Sequence, residues 1–131
     1  MSELSAVLGY PVASETIAGR LDRLLASAAD IVLVAVLPSN SVVGWIHGSE
    51  HELLETGRHC EILGLVVDAA HRRTGVGGQL VSAVETWASS RGVDSVAVRS
   101  NVVRTESHPF YERLGYHRVK TQHAYFKPLH I

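Results

Sequence analysis

Arg72, Arg73, Gly75, Gly77 and Gly78 lie close together in the stretch Leu65-Val-Val-Asp-Ala-Ala-His-Arg-Arg-Thr-Gly-Val-Gly-Gly-Gln-Leu80. An apolar strand runs into a loop rich in arginine and glycine, and the loop runs into a helix. A helix N-terminus carries unpaired N–H groups and the positive end of the helix dipole. Glycine lets the backbone turn tightly and approach a ligand closely. With two guanidinium groups alongside, the chemistry expected here is capture of a pyrophosphate. A P-loop requires a lysine after its glycines, and none follows here. A dinucleotide fingerprint requires a third glycine where Leu80 stands.

The pattern Arg72-x-x-Gly75-x-Gly77 resembles the coenzyme A pyrophosphate loop of the GNAT superfamily of N-acetyltransferases. A second stretch strengthens the resemblance: Asn101, followed by Ser107-His-Pro-Phe-Tyr-Glu-Arg-Leu-Gly-Tyr116, is similar to that family's C-terminal signature. Tyr125-Phe-Lys-Pro-Leu129 resembles its usual last strand, so the likeness covers about residues 14–129.

The resemblance implies a single α/β domain over residues 1–131, with a mixed, mostly antiparallel sheet and helices on both faces. It implies acetyl-CoA as acetyl donor. Leu65, Val66 and Val67 would pair through their backbones with the pantetheine arm, as an added strand does. Arg72, Arg73, Thr74, Gly75, Val76, Gly77 and Gly78 would hold the pyrophosphate. Asn101 would reach the pantetheine or shape the neighbouring strand.

Tyr111 matches the family's general acid, placed to protonate the departing thiolate. An alkylammonium acceptor must lose a proton before it attacks, so a base is also expected. Glu61 is the first candidate, with His47 and His108 as alternatives. The plainer reading of Glu61 is a strand residue that holds a neighbouring arginine. The expected acceptor is a small-molecule amine. Transfer to a protein N-terminus or lysine, and a silent acyl-CoA-binding module, are the alternatives.

The elements that must position these residues can be read from periodicity. Ile17, Leu21, Leu24, Leu25 and Ala28 fall at helical spacing, with Ser14 as N-cap, and predict a helix over 14–29. Ile31–Leu37 reads as a buried strand, Pro38–Ser41 as a turn, and Val42–His47 as the hairpin partner. Gly48–Arg58 reads as a polar loop, whose Glu50, Glu52 and Glu55 would suit a cationic acceptor. His59–Asp68 reads as a strand, Gly75–Arg91 as a helix with Gly92 beyond its end, and Val93–Arg99 as a strand. A helix is predicted over 104–114, or from near Ser107 or His108 if Pro109 occupies its first turn. Strands over Tyr116–Thr121 and His123–Lys127 complete the pattern.

The family's first strand and most of its first helix have no counterpart before Leu8-Gly-Tyr-Pro-Val12. The Ile31–Leu37 strand is therefore expected at a sheet edge, covered by residues 1–12 or by a second subunit in a homodimer.

The composition agrees with one soluble globular domain. Of 131 residues, 46% are hydrophobic and 19% charged, with a net charge of −1, so no basic excess points to nucleic acid. Cys60 is the lone cysteine, which excludes an internal disulfide. No apolar run is long enough to span a membrane, and no leader pattern is present, so a cytoplasmic location is expected. The histidines include no His-Glu-x-x-His, so no metal site is expected.

Overall fold

The computed structural model describes residues 14–72, 74–99 and 107–130. The chain divides into two compact units, Met1–Arg99 and Ser100–Ile131. In the first unit the order is α1 (Ser14–Leu25), β1 (Asp30–Val36), β2 (Val42–Leu53), β3 (Gly57–Val67), a 3-10 turn (Ala69–His71), α2 (Val76–Ser90) and β4 (Val96–Val98). The second unit contains α3 (Ser107–Arg113).

The sheet runs β1-β2-β3-β4. The β1–β2 and β2–β3 pairs are antiparallel, and β3–β4 is parallel. This is the mixed, mostly antiparallel α/β architecture expected from the element order. Helix α2 lies across one sheet face. A Cβ built at Gly44 would meet Leu80 and Val76, and one at Gly48 would press on Val84 at 2.9 Å. The even-numbered residues of β2 therefore face α2. Ile46, Cys60, Ile62, Leu80, Val81, Val84 and Ala88 form the buried core between them.

The odd-numbered residues of β2 face the other way. Ser49 pairs with Asp30 on β1 and with Glu61 on β3, and His51 pairs with His59. Residues directly opposite one another share a face, so Asp30, Ser49, His51, His59 and Glu61 form a polar row away from α2. His47 extends it by strand alternation.

Three expectations need correction. Gly48–Arg58 is not a loop: β2 continues to Leu53 and β3 begins at Gly57, leaving only Leu54-Glu55-Thr56 as the connection. Gly57 takes φ +71°, the left-handed conformation that closes such a three-residue hairpin. The N-terminal helix stops at Leu25 rather than Ala29, and a turn in which Ser27 bonds Asp30 (2.8 Å) leads into β1. No strand forms over Tyr116–Thr121 or His123–Lys127 among the described residues. Only Gln122 would separate them, which is too little chain, and the wrong residue type, for a hairpin turn. The remaining elements lie within a few residues of their predicted bounds, and among the described residues β1 sits at the sheet edge. Residues 1–12, expected to cover that edge, lie outside the described residues.

Glu50 ties the hairpin to the end of α2. Its carboxylate accepts from Arg58 Nε (2.9 Å) and Arg91 Nε (2.7 Å), while Arg58 also donates to the Arg91 carbonyl (3.0 Å). Arg91 lies over the Trp87 ring, 5.0 Å from its centroid. Glu50 is thus committed to structure, and not free to attract a cationic acceptor. The hydrogen bonds from Arg58 and Arg91 hold its pKa at about 2 against an ordinary 4.5. A depressed folded-state pKa means that the latch contributes fully above pH 4.5 and is lost as pH falls toward 2. Denaturant titrations across that interval should show Glu50→Gln losing stability with a shallower pH slope than wild type. Equal slopes would remove the latch from acid unfolding.

Candidate active site

The pairing between β3 and β4 covers only Cys60↔Val96, Glu61↔Ala97 and Ile62↔Val98. Beyond Ile62, β3 continues to Val67 with β2 on one side and, among the described residues, no strand on the other. The break coincides with a bulge. His47 opposes Gly64 while Gly48 opposes Ile62, so Leu63 is the extra residue, and it is 51% exposed. A bulge bends its strand and increases the local twist. It therefore turns the end of β3 out of line with β4 and, among the described residues, leaves alternate N–H and C=O groups of residues 63–67 without a ladder partner. Val66 is buried, whereas Leu65 and Val67 are half-buried.

That open edge leads directly into the arginine–glycine loop. Asp68 N–H donates to the Val43 carbonyl (2.7 Å), His71 N–H returns to Asp68 O (2.9 Å), and Thr74 Oγ1 donates to the His71 carbonyl. His71 Nδ1 and Asp68 Oδ2 are 3.3 Å apart. Arg72 is exposed, and its Nε donates at 3.4 Å to the Val67 carbonyl, the last acceptor of the open edge. Gly75 caps α2 at φ +90° and ψ −2°, with nothing within 4 Å of where a Cβ would stand. The first helical bond runs from Gln79 N–H to Gly75 O (3.0 Å). The N–H groups of Val76, Gly77 and Gly78 precede it and have no helical acceptor. The result is a helix end of the kind that suits an anion, following directly on an open strand edge.

Glu61 sits at the last closed rungs of the β3–β4 ladder. Its side chain is 12% exposed, with Oε1 3.3 Å from Arg99 Nε and Oε2 4.0 Å from His51 Nε2. The arginine-holding reading of Glu61 thus describes one of its two oxygens. His47 Nε2 donates to Asp30 Oδ1 (2.8 Å), in a pair that is mostly buried. Burial pushes the Asp30 carboxyl up, but hydrogen bonds from His47, Ser27 and Ser49 outweigh it and hold the group below the ordinary carboxylate range.

In the second unit, Tyr111 packs edge-on against Phe110 (centroids 5.0 Å apart) and Tyr116 (5.9 Å). Tyr116 N–H donates to the Tyr111 carbonyl (3.1 Å). Burial pushes the Tyr111 phenol up, which keeps it protonated at neutral pH. Arg73 and Asn101 lie outside the described residues, and only the backbone of His108 is described.

The structure brings together Leu65, Val66, Val67, Arg72, Thr74, Gly75, Val76, Gly77 and Gly78 as one continuous edge and helix end. It also adds His51, which falls in the predicted Gly48–Arg58 loop, and its cross-strand partner His59, the first residue of the predicted His59–Asp68 strand. The signal for them was present as the period-two run His47-x-Ser49-x-His51. Among the described residues, no group of three or more His, Cys, Asp or Glu side chains is arranged to hold a metal ion. No described helix is long and apolar enough to cross a membrane.

The site is thus set in a mixed α/β sheet that opens after a bulge, with a glycine-capped helix end at the opening. Residues 8–116 match the acetyltransferase (GNAT) family, and the chain belongs to that family. It is an N-acetyltransferase that uses acetyl-CoA as donor. Solved structures agree on the fold. An aminoglycoside acetyltransferase from an uncultured soil metagenomic sample, in complex with sisomicin, is 24% identical, with 95% of this chain and 82% of that one covered and a TM-score of 0.82. An aminoglycoside 6'-N-acetyltransferase from Acinetobacter baumannii is 21% identical, with 92% and 85% covered and a TM-score of 0.81. AAC(6')-Iy, in complex with the bisubstrate analogue CoA-S-monomethyl-acetylneamine, is 19% identical, with 88% and 81% covered and a TM-score of 0.81. No curated protein sequence matches the chain.

The residues present fit the donor. Its pyrophosphate needs N–H donors and positive charge, and the end of α2 and Arg72 have both. Its pantetheine arm carries amides, and the open edge of β3 offers complementary backbone groups.

Proposed function

We propose that this chain acetylates the primary amine of a small cationic molecule by direct attack on the thioester. The observation that carries the reading is the open β3 edge running into the Gly75-capped end of α2. Backbone groups of Leu65, Val66 and Val67 hold the pantetheine arm. Arg72, Arg73, Thr74, Gly75, Val76, Gly77 and Gly78 bind the pyrophosphate, and Asn101 steadies the arm. The acetyl group is thereby presented beside the polar face of the sheet.

On that face Glu61 accepts the proton that an ammonium must lose before it attacks. Tyr111 protonates the sulfur as the thiolate departs. Asp30 and Glu61 give the face negative charge, which favours a cationic acceptor. The neighbours described as aminoglycoside acetyltransferases, one in complex with sisomicin, support a small polyamine-like acceptor. Calorimetry with CoA, followed by thiol release with acetyl-CoA and a panel of amines including sisomicin, tests the reading. CoA binding with turnover of a small amine is expected. Binding without turnover of any amine would leave a silent acyl-CoA module, and turnover restricted to peptide amines would move the acceptor class to proteins.

Direct attack makes Cys60 a bystander. The side chain is fully buried, and burial raises its thiol above the ordinary range, the opposite of what a nucleophile needs. Cys60→Ala should keep turnover within about twofold, and double-reciprocal plots should intersect rather than run parallel. A trapped acetyl-Cys60 would reverse this assignment.

A further inference from the structure

Among the described residues, His51 Nε2 and His59 Nδ1 are buried ring nitrogens without a hydrogen-bond partner. Such atoms are uncommon, because each forfeits its interaction with water and gains nothing in return. Here both belong to one cross-strand pair, with ring centroids 5.9 Å apart and planes 31° apart. The nearest carboxylate oxygen to His51 Nε2 is Glu61 Oε2 at 4.0 Å, while the other Glu61 oxygen meets Arg99. The His51 side chain is nonetheless 38% exposed. Because Nε2 itself is buried, that exposure belongs to the rest of the side chain.

The direction of the row is informative. From the opening beyond Ile62, the polar face runs back along β3 through Glu61 to His59, which His51 opposes on β2, and then to the hairpin end at Gly57. Glu61 lies nearest the opening, and His51, further toward the hairpin end, is the more exposed of the two, 38% against 12%. Amide formation from an ammonium and a thioester gives a thiol and releases one proton overall. A carboxylate that is only 12% exposed must pass its proton on before the next cycle.

We infer that His51 is the proton-relay residue that discharges Glu61 to solvent. This rests on the reading of Glu61 as the acceptor of the amine proton. The N–H bond of the ammonium breaks, and its proton bonds to the Glu61 carboxylate. Glu61 passes the proton to the lone pair of His51 Nε2, the partly exposed ring releases its Nδ1 proton to water, and proton exchange with water returns the ring to its Nδ1–H tautomer before the next cycle. Closing 4.0 Å to hydrogen-bond distance needs only a small rotation of either side chain. The protonated ring then pairs with Glu61, which satisfies Nε2. His59 packs against the ring and fixes its tilt. Arg99, on the other Glu61 oxygen, keeps that carboxylate turned toward His51.

Two measurements decide this. The first needs no acceptor. The His51 ring resonances, followed by NMR across the acidic range, should show a secondary inflection from Glu61 ionisation, and Glu61→Gln should abolish it. Identical curves would overturn the contact. The second uses acetyl-CoA with sisomicin as the acceptor probe. His51→Ala should lower kcat about 10-fold, with acetyl-CoA KM unchanged, and exogenous imidazole should restore part of the rate. A rate loss that imidazole does not restore would make His51 a packing residue. If Glu61→Gln is slow but His51→Ala is not, the relay fails alone. If Glu61→Gln keeps the wild-type rate, the reading of Glu61 itself fails. Without turnover of sisomicin, the NMR comparison decides the relay.

Discussion

Gly75→Val is expected to weaken CoA binding by about 10- to 100-fold, from a backbone cause rather than a clash. Gly75 sits at φ +90°, and nothing lies within 4 Å of the position a Cβ would take. The space is open, but the conformation is not open to valine. An L-residue in the left-handed region costs roughly 1–2 kcal/mol, and a β-branched residue more. The helix can relieve the strain only by rotating its first turn, which moves the N–H groups of residues 76–78 away from the ligand. Asn tolerates the left-handed region better than other non-glycine residues, so Gly75→Asn should keep most of the affinity. Gly77 stands inside α2, and Gly75 is the only glycine from 75 to 78 at positive φ. Gly77→Val should therefore weaken binding only through contact with the ligand. Calorimetry with CoA on the three variants checks the order. Equal affinity of Gly75→Val and wild type would mean that the pyrophosphate does not rest on this turn.

Gly75 also shows why this half of the site was readable in sequence. A helix end that needs positive φ and close approach restricts residue type, so the requirement appears directly as Arg72-x-x-Gly75-x-Gly77. The opening beside it left no such trace. It arises because Leu63 is one residue too many opposite His47 and Gly48, and nothing about a leucine marks it as a bulge. The hairpin was misread for a different reason. His51, Glu52 and Arg58 are polar, and polarity over Gly48–Arg58 reads as a loop. In the structure Glu50 is fixed by two arginines and His51 stacks on His59, so cross-strand pairing overrides the weak strand preference of these residues. Gly57, at φ +71°, was the available signal for a tight turn. At the C-terminus, the likeness of Tyr125-Phe-Lys-Pro-Leu129 to the family's last strand suggested strands, but Gln122 alone cannot reverse the chain. In the second unit the Ser107 start of the helix was legible, because Pro109 fits only its first turn.

Tyr111→Phe is expected to lower kcat by about 100-fold while changing the acetyl-CoA KM little, since proton donation matters only as the thiolate departs. The structure supports a side chain that stays protonated. Burial raises the phenol above its ordinary 10.0, and two aromatic neighbours hold the ring edge-on. The sign of the pH dependence follows. A general acid is active in its protonated form, so the contribution of Tyr111 persists at least up to pH 10 and is lost only above its raised value. In the wild type, any fall in kcat on the alkaline side below pH 10 must come from another group, and Tyr111→Phe should leave the shape of that limb unchanged while lowering its height. Phenylalanine keeps the edge contacts with Phe110 and Tyr116, so folding should be preserved, with thermal stability within a few degrees of wild type. A second substitution separates chemistry from packing. Tyr111→Leu removes both the hydroxyl and the aromatic edges, and should lose stability as well as rate. Steady-state kinetics across pH, with melting curves on the same preparations, provide the comparison. If Tyr111→Phe keeps the wild-type kcat, the thiolate leaves without help from this residue, and the ring is there for packing alone.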